Sequence, residues 1–187
     1  MKNIKRLVFV DFDSTLINSP EPEDGKKRYE QVKGEKYPYE GWWGRKESLD
    51  INIHDIKPFE AMVNQVKDEN KKPDTHTILL TSRLPKLRNE ILKILDKYNI
   101  HLDDHSFKYG SKDKATRIKE FISKYPDVEE IVVYDDREKE FKVLRELKKE
   151  LDKKGEIKMH IYKADNGKLS LLESVKKIID EEIKKQL

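Results

Sequence analysis

Short β-branched or apolar runs alternate with longer amphipathic ones along this chain, and that alternation limits its fold more than any other feature. Arg6–Val10, Thr77–Leu80, Glu130–Tyr134 and Ile157–Ile161 read as strands, and a shorter, weaker strand falls near His105–Lys108. Runs without a polar face suit strands buried on both sides of a parallel sheet. The intervening segments carry apolar residues at helical spacing. Leu84, Leu87, Ile91, Ile94 and Leu95 form one stripe, with Pro85 suited to a first turn. Ile118, Phe121 and Ile122 form a second, after Ser111 and Asp113 as candidate caps. Phe141, Leu144, Leu147 and Leu151 form a third, and Leu171, Leu172, Val175, Ile178 and Ile179 a fourth. Strands alternating with amphipathic helices predict an α/β layer fold with a mostly parallel sheet.

One stretch breaks the rhythm. Residues 18–57 hold both tryptophans, four of the seven glycines and a concentration of prolines. They read as an insert of turns and short pieces beyond the carboxyl end of the first strand. With 187 residues, the expectation is one domain, 1–187, containing that insert.

Composition removes several classes. There is no cysteine, so disulfide frameworks, cysteine-zinc sites and thiol nucleophiles are excluded. The five histidines are scattered, and no serine-nucleophile elbow or Gly-x-x-x-x-Gly-Lys phosphate loop occurs. No apolar run approaches the length of a membrane span, so a soluble, cytoplasmic protein with no membrane partner is expected. Charged residues make up 41%, but the signs nearly cancel at a net +3. That balance suits a solvated helical surface better than a nucleic-acid coat.

In open parallel sheets, ligands sit past the carboxyl ends of the strands. Asp11-Phe12-Asp13-Ser14-Thr15 follows the first strand, Thr81-Ser82-Arg83 the second, and Asp135-Asp136-Arg137 the strand ending at Tyr134. Asp11 and Asp13, two apart on extended chain, point the same way. Carboxylates held together want a cation or a shared proton. Four of them, without sulfur or clustered imidazole, suit a hard oxygen-liganded ion, best Mg²⁺.

These segments resemble the motifs of the haloacid dehalogenase (HAD) superfamily: Asp11-Phe-Asp-Ser-Thr15 the first, Ile78-Leu-Leu-Thr81 the second, a lysine near Lys114 the third, and Ile131-Val-Val-Tyr-Asp135-Asp136 the fourth. Gly41-Trp42-Trp43-Gly44, Leu80-Thr-Ser-Arg83 and Tyr134-Asp-Asp-Arg137 are similar to the Swiss army knife RNA repair-like subgroup. The Asp-Asp-Arg ending also resembles the 3′-phosphatase half of polynucleotide kinase-phosphatases. The resemblance implies a HAD-like Rossmannoid three-layer sandwich with a small cap insert, and a Mg²⁺-dependent phosphatase working through an aspartyl-phosphate. It implies Asp11 as nucleophile, Asp13 as acid and base, Thr81 and Lys114 as phosphate-holding groups, and Asp11, Asp13, Asp135 and Asp136 around the metal.

The lysine assignment stays open between Lys108, Lys112, Lys114 and Lys119, with Lys114 favoured beside Asp113 where a helix begins. Thr15, Ser82, Arg83, Trp42, Trp43, Arg45 and Arg137 are candidate substrate-binding residues. The tryptophans stand open to two roles, plugging the insert onto the body or stacking a base. The expected substrate is a phosphorylated nucleic-acid end, favoured as 3′, or a nucleotide. The alternatives are a nucleotidase or general small-molecule phosphatase, and a non-catalytic module that binds nucleic-acid ends. Whether a separate kinase or ligase partner exists is not readable from the sequence.

Overall fold

A computed structural model describes residues 3–172. Its sheet has six strands in the order β3-β2-β1-β4-β5-β6. The strands are β1 (Arg6–Val10), β2 (Thr75–Leu80), β3 (Asp104–Ser106), β4 (Glu130–Asp135), β5 (Lys158–Asp165) and β6 (Lys168–Leu171). β1 to β5 run parallel, and β6 returns antiparallel to β5. The central strand β1 lies between β2 and β4, with Arg6 opposite Thr75 on one side and Glu130 on the other. Its burial on both faces explains why it reads as an unbroken apolar run.

Helices α1 (Pro22–Lys33), α2 (Glu60–Lys71), α3 (Arg88–Lys97), α4 (Lys114–Lys124) and α5 (Glu138–Lys154) complete the chain. Val8 and Val10 of β1 pack with Met62, Val63 and Val66 of α2 and Ile91, Ile94 and Leu95 of α3. Leu7 and Phe9, on the opposite face, pack with Ile118 of α4 and with Phe141, Leu144, Leu147 and Leu151 of α5. Alternate residues of one strand thus feed two cores, and the result is the three-layer sandwich.

Three differences from the sequence reading have local causes. α2 carries only three well-buried apolar side chains, Met62, Val63 and Val66, so its stripe is faint against its charge. Pro85–Leu87 is a short 3₁₀ turn ahead of α3, and Leu84 is exposed before it, off the helix stripe. Leu171, read as part of a closing helix, belongs to β6. The Asn166-Gly167 pair has φ of 46° and 82° and makes the two-residue hairpin turn that reverses the chain there. Leu172 is buried in the core shared with α4 and α5, and Val175, Ile178 and Ile179 lie outside the described residues.

The insert is more ordered than a run of turns. It holds α1, whose Tyr29 clusters with Tyr37, Trp42 and Ile53. The Trp42 ring lies flat against Gly25, where any Cβ would sit 2.0 Å from a ring carbon, so glycine is required inside that helix. The two ends of the insert meet: the Asn18 amide donates to the Lys57 carbonyl at 2.9 Å, and the Phe59 amide to the Leu16 carbonyl at 3.0 Å.

Candidate active site

The carboxyl ends of β1, β2 and β4 lie side by side, so the loops after them converge. Phe12 to Ile17 fold into a tight return: the Leu16 and Ile17 amides both donate to the Phe12 carbonyl, and Ser14 sits at a φ of 59°. A non-glycine residue in the left-handed region stores strain, and such residues gather at functional sites. The return buries Thr15, whose hydroxyl points at Asp136 at 3.5 Å.

At the centre stands Lys114, the first residue of α4, 1% exposed. Its ammonium lies 2.8 Å from Asp11 and 2.6 Å from Asp135. Asp113 caps the helix by accepting from the Thr116 amide at 2.7 Å, which fixes the turn that delivers Lys114 inward. None of the other three lysines is placed between Asp11 and Asp135, although Lys108 and Lys112 line the cavity rim. Lys119 pairs with Glu150 of α5, Lys112 with Glu120, and Lys108 is exposed at the cavity rim.

Burial pushes the Asp11 carboxyl well above the ordinary carboxylate range, with Asp135 and Asp13 adding to the rise and Lys114 opposing it. Asp136 is also raised, by burial and then by Asp135. For Lys114, burial works against the charge, but Asp11 and Asp135 outweigh it and the ammonium is held more firmly than usual. One ammonium between several carboxylates leaves negative charge uncompensated. Asp11, Asp135 and Asp136 each bring a ligand oxygen within 4.8 Å of the others. A close set of oxygen donors with surplus negative charge fits a hard divalent cation such as Mg²⁺.

Thr81 is fully buried at the end of β2, its hydroxyl accepting from the Arg83 amide at 3.0 Å, which leaves its proton free to donate. Arg83 is more deeply buried than its place in a loop suggests. It is 2% exposed, and its guanidinium forks onto Asp13 at 2.9 and 2.8 Å while Nη1 reaches the Trp43 carbonyl and the Ser48 hydroxyl. With those contacts made, it pins the insert and Asp13 to the sheet edge while lining the cavity above them. Ser19 donates a further hydrogen bond to Asp13.

A cavity of about 420 Å³ opens over this cluster, lined by Asp13, Ser82, Lys114, Asp136 and Arg137 on the sheet side and by Trp43 on the insert side. The two tryptophans have different roles. Trp42 is 3% exposed, its indole N–H donating to the Pro20 carbonyl at 2.9 Å, so it plugs the insert and offers no face to a ligand. Trp43 is 38% exposed at the cavity, with the Arg83 guanidinium 4.8 Å from its ring centre. Arg45 stacks on Tyr39 at 4.2 Å and lines a separate surface hollow. Sequence reasoning missed Ser19 and Ser48, which have no motif to mark them. It also missed Arg117, which stands three residues after Lys114 and hence on the same face of α4.

Residues 25–183 match the model of HAD domain family 1 in Swiss Army Knife RNA repair proteins. The chain belongs to that family. It is therefore a HAD-superfamily, phosphatase-like domain. Solved structures share the fold at low identity. The HAD domain of effector protein Lem4 from Legionella pneumophila is 18% identical with a TM-score of 0.57, covering 95% of each chain. A chain of the Pnkp1/Rnl/Hen1 complex is 16% identical with a TM-score of 0.54, over 86% of this chain and 45% of that one. The present chain thus spans less than half the length of that relative. A haloacid dehalogenase-like hydrolase of Streptococcus pneumoniae is 13% identical with a TM-score of 0.50, covering 78% of this chain and 81% of that one. No curated protein matches. Among the described residues, no helix is long and apolar enough to cross a membrane.

Proposed function

We propose that the protein is a phosphohydrolase that removes a terminal phosphate from nucleic-acid ends, the 3′ end in particular, through an aspartyl-phosphate on Asp11. The observation that carries this is the buried Asp11–Lys114–Asp135 bridge at the floor of an open cavity, with Thr81 beside it. A structural ion pair would gain nothing from a surplus carboxylate. A phosphoryl-transfer site needs one as nucleophile. Membership of an RNA repair family and likeness to a chain of the Pnkp1/Rnl/Hen1 complex support the choice of substrate.

In this mechanism Lys114 and the Thr81 hydroxyl hold the phosphoryl oxygens and set the phosphorus in line with an Asp11 oxygen. The Asp11 oxygen forms a bond to phosphorus as the bond to the leaving oxygen breaks. Asp13, fixed by the Arg83 fork, gives that oxygen its proton and leaves it as a free hydroxyl. Asp13 then takes a proton from a water that attacks phosphorus, releasing inorganic phosphate and restoring Asp11. Asp11, Asp135 and Asp136, with the Asp13 carbonyl, would hold Mg²⁺, which when bound supplies charge neutralisation for the phosphoryl group. Residues 18–57 serve as a small cap, and exposed Trp43 offers a ring on which the terminal base stacks. Ser82 and Arg137 line the approach to the phosphate.

The test is Mg²⁺-dependent phosphate release by wild type and Asp11→Asn from 3′- and 5′-phosphorylated RNA and DNA oligonucleotides and from nucleoside 3′- and 5′-monophosphates. Turnover of 3′-phosphorylated strands that vanishes in Asp11→Asn is expected. Preference for mononucleotides would make it a nucleotidase, and absence of wild-type turnover would leave a binding module.

A further inference from the structure

Three cations lining the cavity are fully buried, and two of them are matched to a carboxylate. Lys114 is claimed by Asp11 and Asp135, and Arg83 by Asp13. Lys108, Lys112 and Lys139 are exposed to solvent, and Arg137 is half-buried. Arg117, the third buried cation, is 3% exposed and forms no ion pair with any described residue, the carboxylates of Asp11 and Glu140 acting on it only from beyond contact distance. All its hydrogen bonds leave from Nη1, to the carbonyls of Thr81 at 3.0 Å and Ser106 at 2.9 Å and to the Ser106 hydroxyl at 3.3 Å. Its Nε is buried with no acceptor at all.

A guanidinium stays charged at any ordinary pH, and burying one without a counter-charge is costly. Neutral carbonyls satisfy some of its donors but do not cancel its charge. Such an arrangement is stable at low cost only when an anion arrives to share the site. The three acceptors hold its head against the ends of β2 and β3, beside Thr81, and the helix periodicity stacks it over Lys114. A dianionic phosphate held by Thr81 and Lys114 would thus lie within the field of Arg117.

We propose that Arg117 is a second, buried anion-binding cation of the phosphate site, which favours the phosphate dianion through its uncancelled charge while its Nη1 ties the Thr81 loop to α4. This deepens the phosphatase reading and rests on it for the location of the phosphate. The simpler reading, a neutral tether between loop and helix, makes opposite demands on conservative replacement. Arg117→Met removes charge and tether together, whereas Arg117→Lys keeps the charge and loses the forked bonds.

Calorimetric titration of inorganic phosphate into the full-length Mg²⁺-loaded protein separates the two readings, with thermal unfolding followed in parallel. Arg117→Met is expected to weaken phosphate binding by about tenfold or more. Arg117→Lys is expected to stay within about threefold of wild type. Equal weakening in both variants, or none in either, overturns the proposal, as does a wild type that binds no phosphate. Should both variants fail to fold, the wild type decides: the Arg117 Nε–H resonance, assigned through its side-chain couplings, must move as phosphate is added, and a resonance that stays put overturns the proposal. Phosphate binding is read without turnover. A protein that binds phosphate through Arg117 but hydrolyses nothing would refute the proposed reaction and leave this inference standing, and the reverse outcome would do the opposite.

Discussion

Two regions of this molecule bury charge, and they do so in opposite ways. On the face covered by α2, toward the start of β1, the Glu69 carboxylate is 1% exposed and fully partnered. Arg6 forks onto it at 3.0 and 3.2 Å, Lys72 reaches it at 3.0 Å, and the Tyr134 hydroxyl and Gln65 amide each donate at 3.1 Å. Arg6 has a second carboxylate in Glu130. At the other end of the same strand, Asp11 and Asp135 share a single ammonium, Asp136 stands within ligand distance of both, and Arg117 forms no ion pair among the described residues, its Nε left without an acceptor. The first network is closed, and its shifts point toward the charged forms: burial raises Glu69, but the bonds from Arg6 and Lys72 outweigh it and hold the carboxyl below its ordinary value. The second network holds Asp11 well above its ordinary value. A closed network serves the fold, and an open one waits for a ligand.

The sharpest way to break the comparison is to remove one carboxylate from each network. Asp11→Asn should abolish phosphate release, by more than about 10³-fold, while its melting temperature holds or rises, because a repelled carboxylate is gone. Steady-state kinetics beside calorimetry check this, and a variant that keeps turnover would sink the nucleophile assignment. Glu69→Ala should do the reverse. It leaves Arg6 with Glu130 alone and the Tyr134 hydroxyl without its acceptor, and should cost about 3 kcal/mol of stability, measured by denaturant unfolding, with kcat unchanged.

A third prediction adds charge instead of removing it. Mg²⁺ at a hundredfold excess over its Kd should stabilise wild type by about 2.7 kcal/mol. Glu69→Ala should show the same gain, and Asp11→Asn combined with Asp135→Asn should show none. A gain that survives the double variant would place the metal elsewhere. The smallest effect concerns pH. Glu69 has a depressed folded pKa, so its contribution is present above the ordinary carboxyl value of 4.5 and is lost as pH falls through the lower folded value. The unfolding free energy of wild type should therefore fall on acidification below pH 4.5 more steeply than that of Glu69→Gln. Equal slopes would mean that other carboxyls set the acid limit.

The legibility of these regions in the sequence differed for the same reason. β1 reads at its observed bounds, and β2 and β4 within two residues, because a strand buried on both faces leaves a continuous apolar run. The carboxylates, Thr81 and Lys114 were visible because they follow such strands or open a capped helix. The partners of those groups were not. Ser48 meets Arg83 across a chain separation of 35 residues, and Glu69 meets Arg6 across 63, and neither pairing leaves a periodic trace. α2 was hidden by its three sparse apolar residues. β6 was legible in principle from Asn166-Gly167, but the leucines after that turn also fit a helical stripe.

The order of strands in the sheet has a consequence for how the molecule is made. β1 is synthesised before the other five described strands, yet its two neighbours begin at Thr75 and Glu130. Its pairing is therefore long-range on both sides, the slow kind of contact to close. Asp11 and Asp13 are translated some hundred residues before Lys114 and more than 120 before Asp135 and Asp136. Until then β1 is an apolar strand with an open edge, the kind of segment that other chains capture. The centre of the sheet and the carboxylate cluster are thus completed by the same strand, β4.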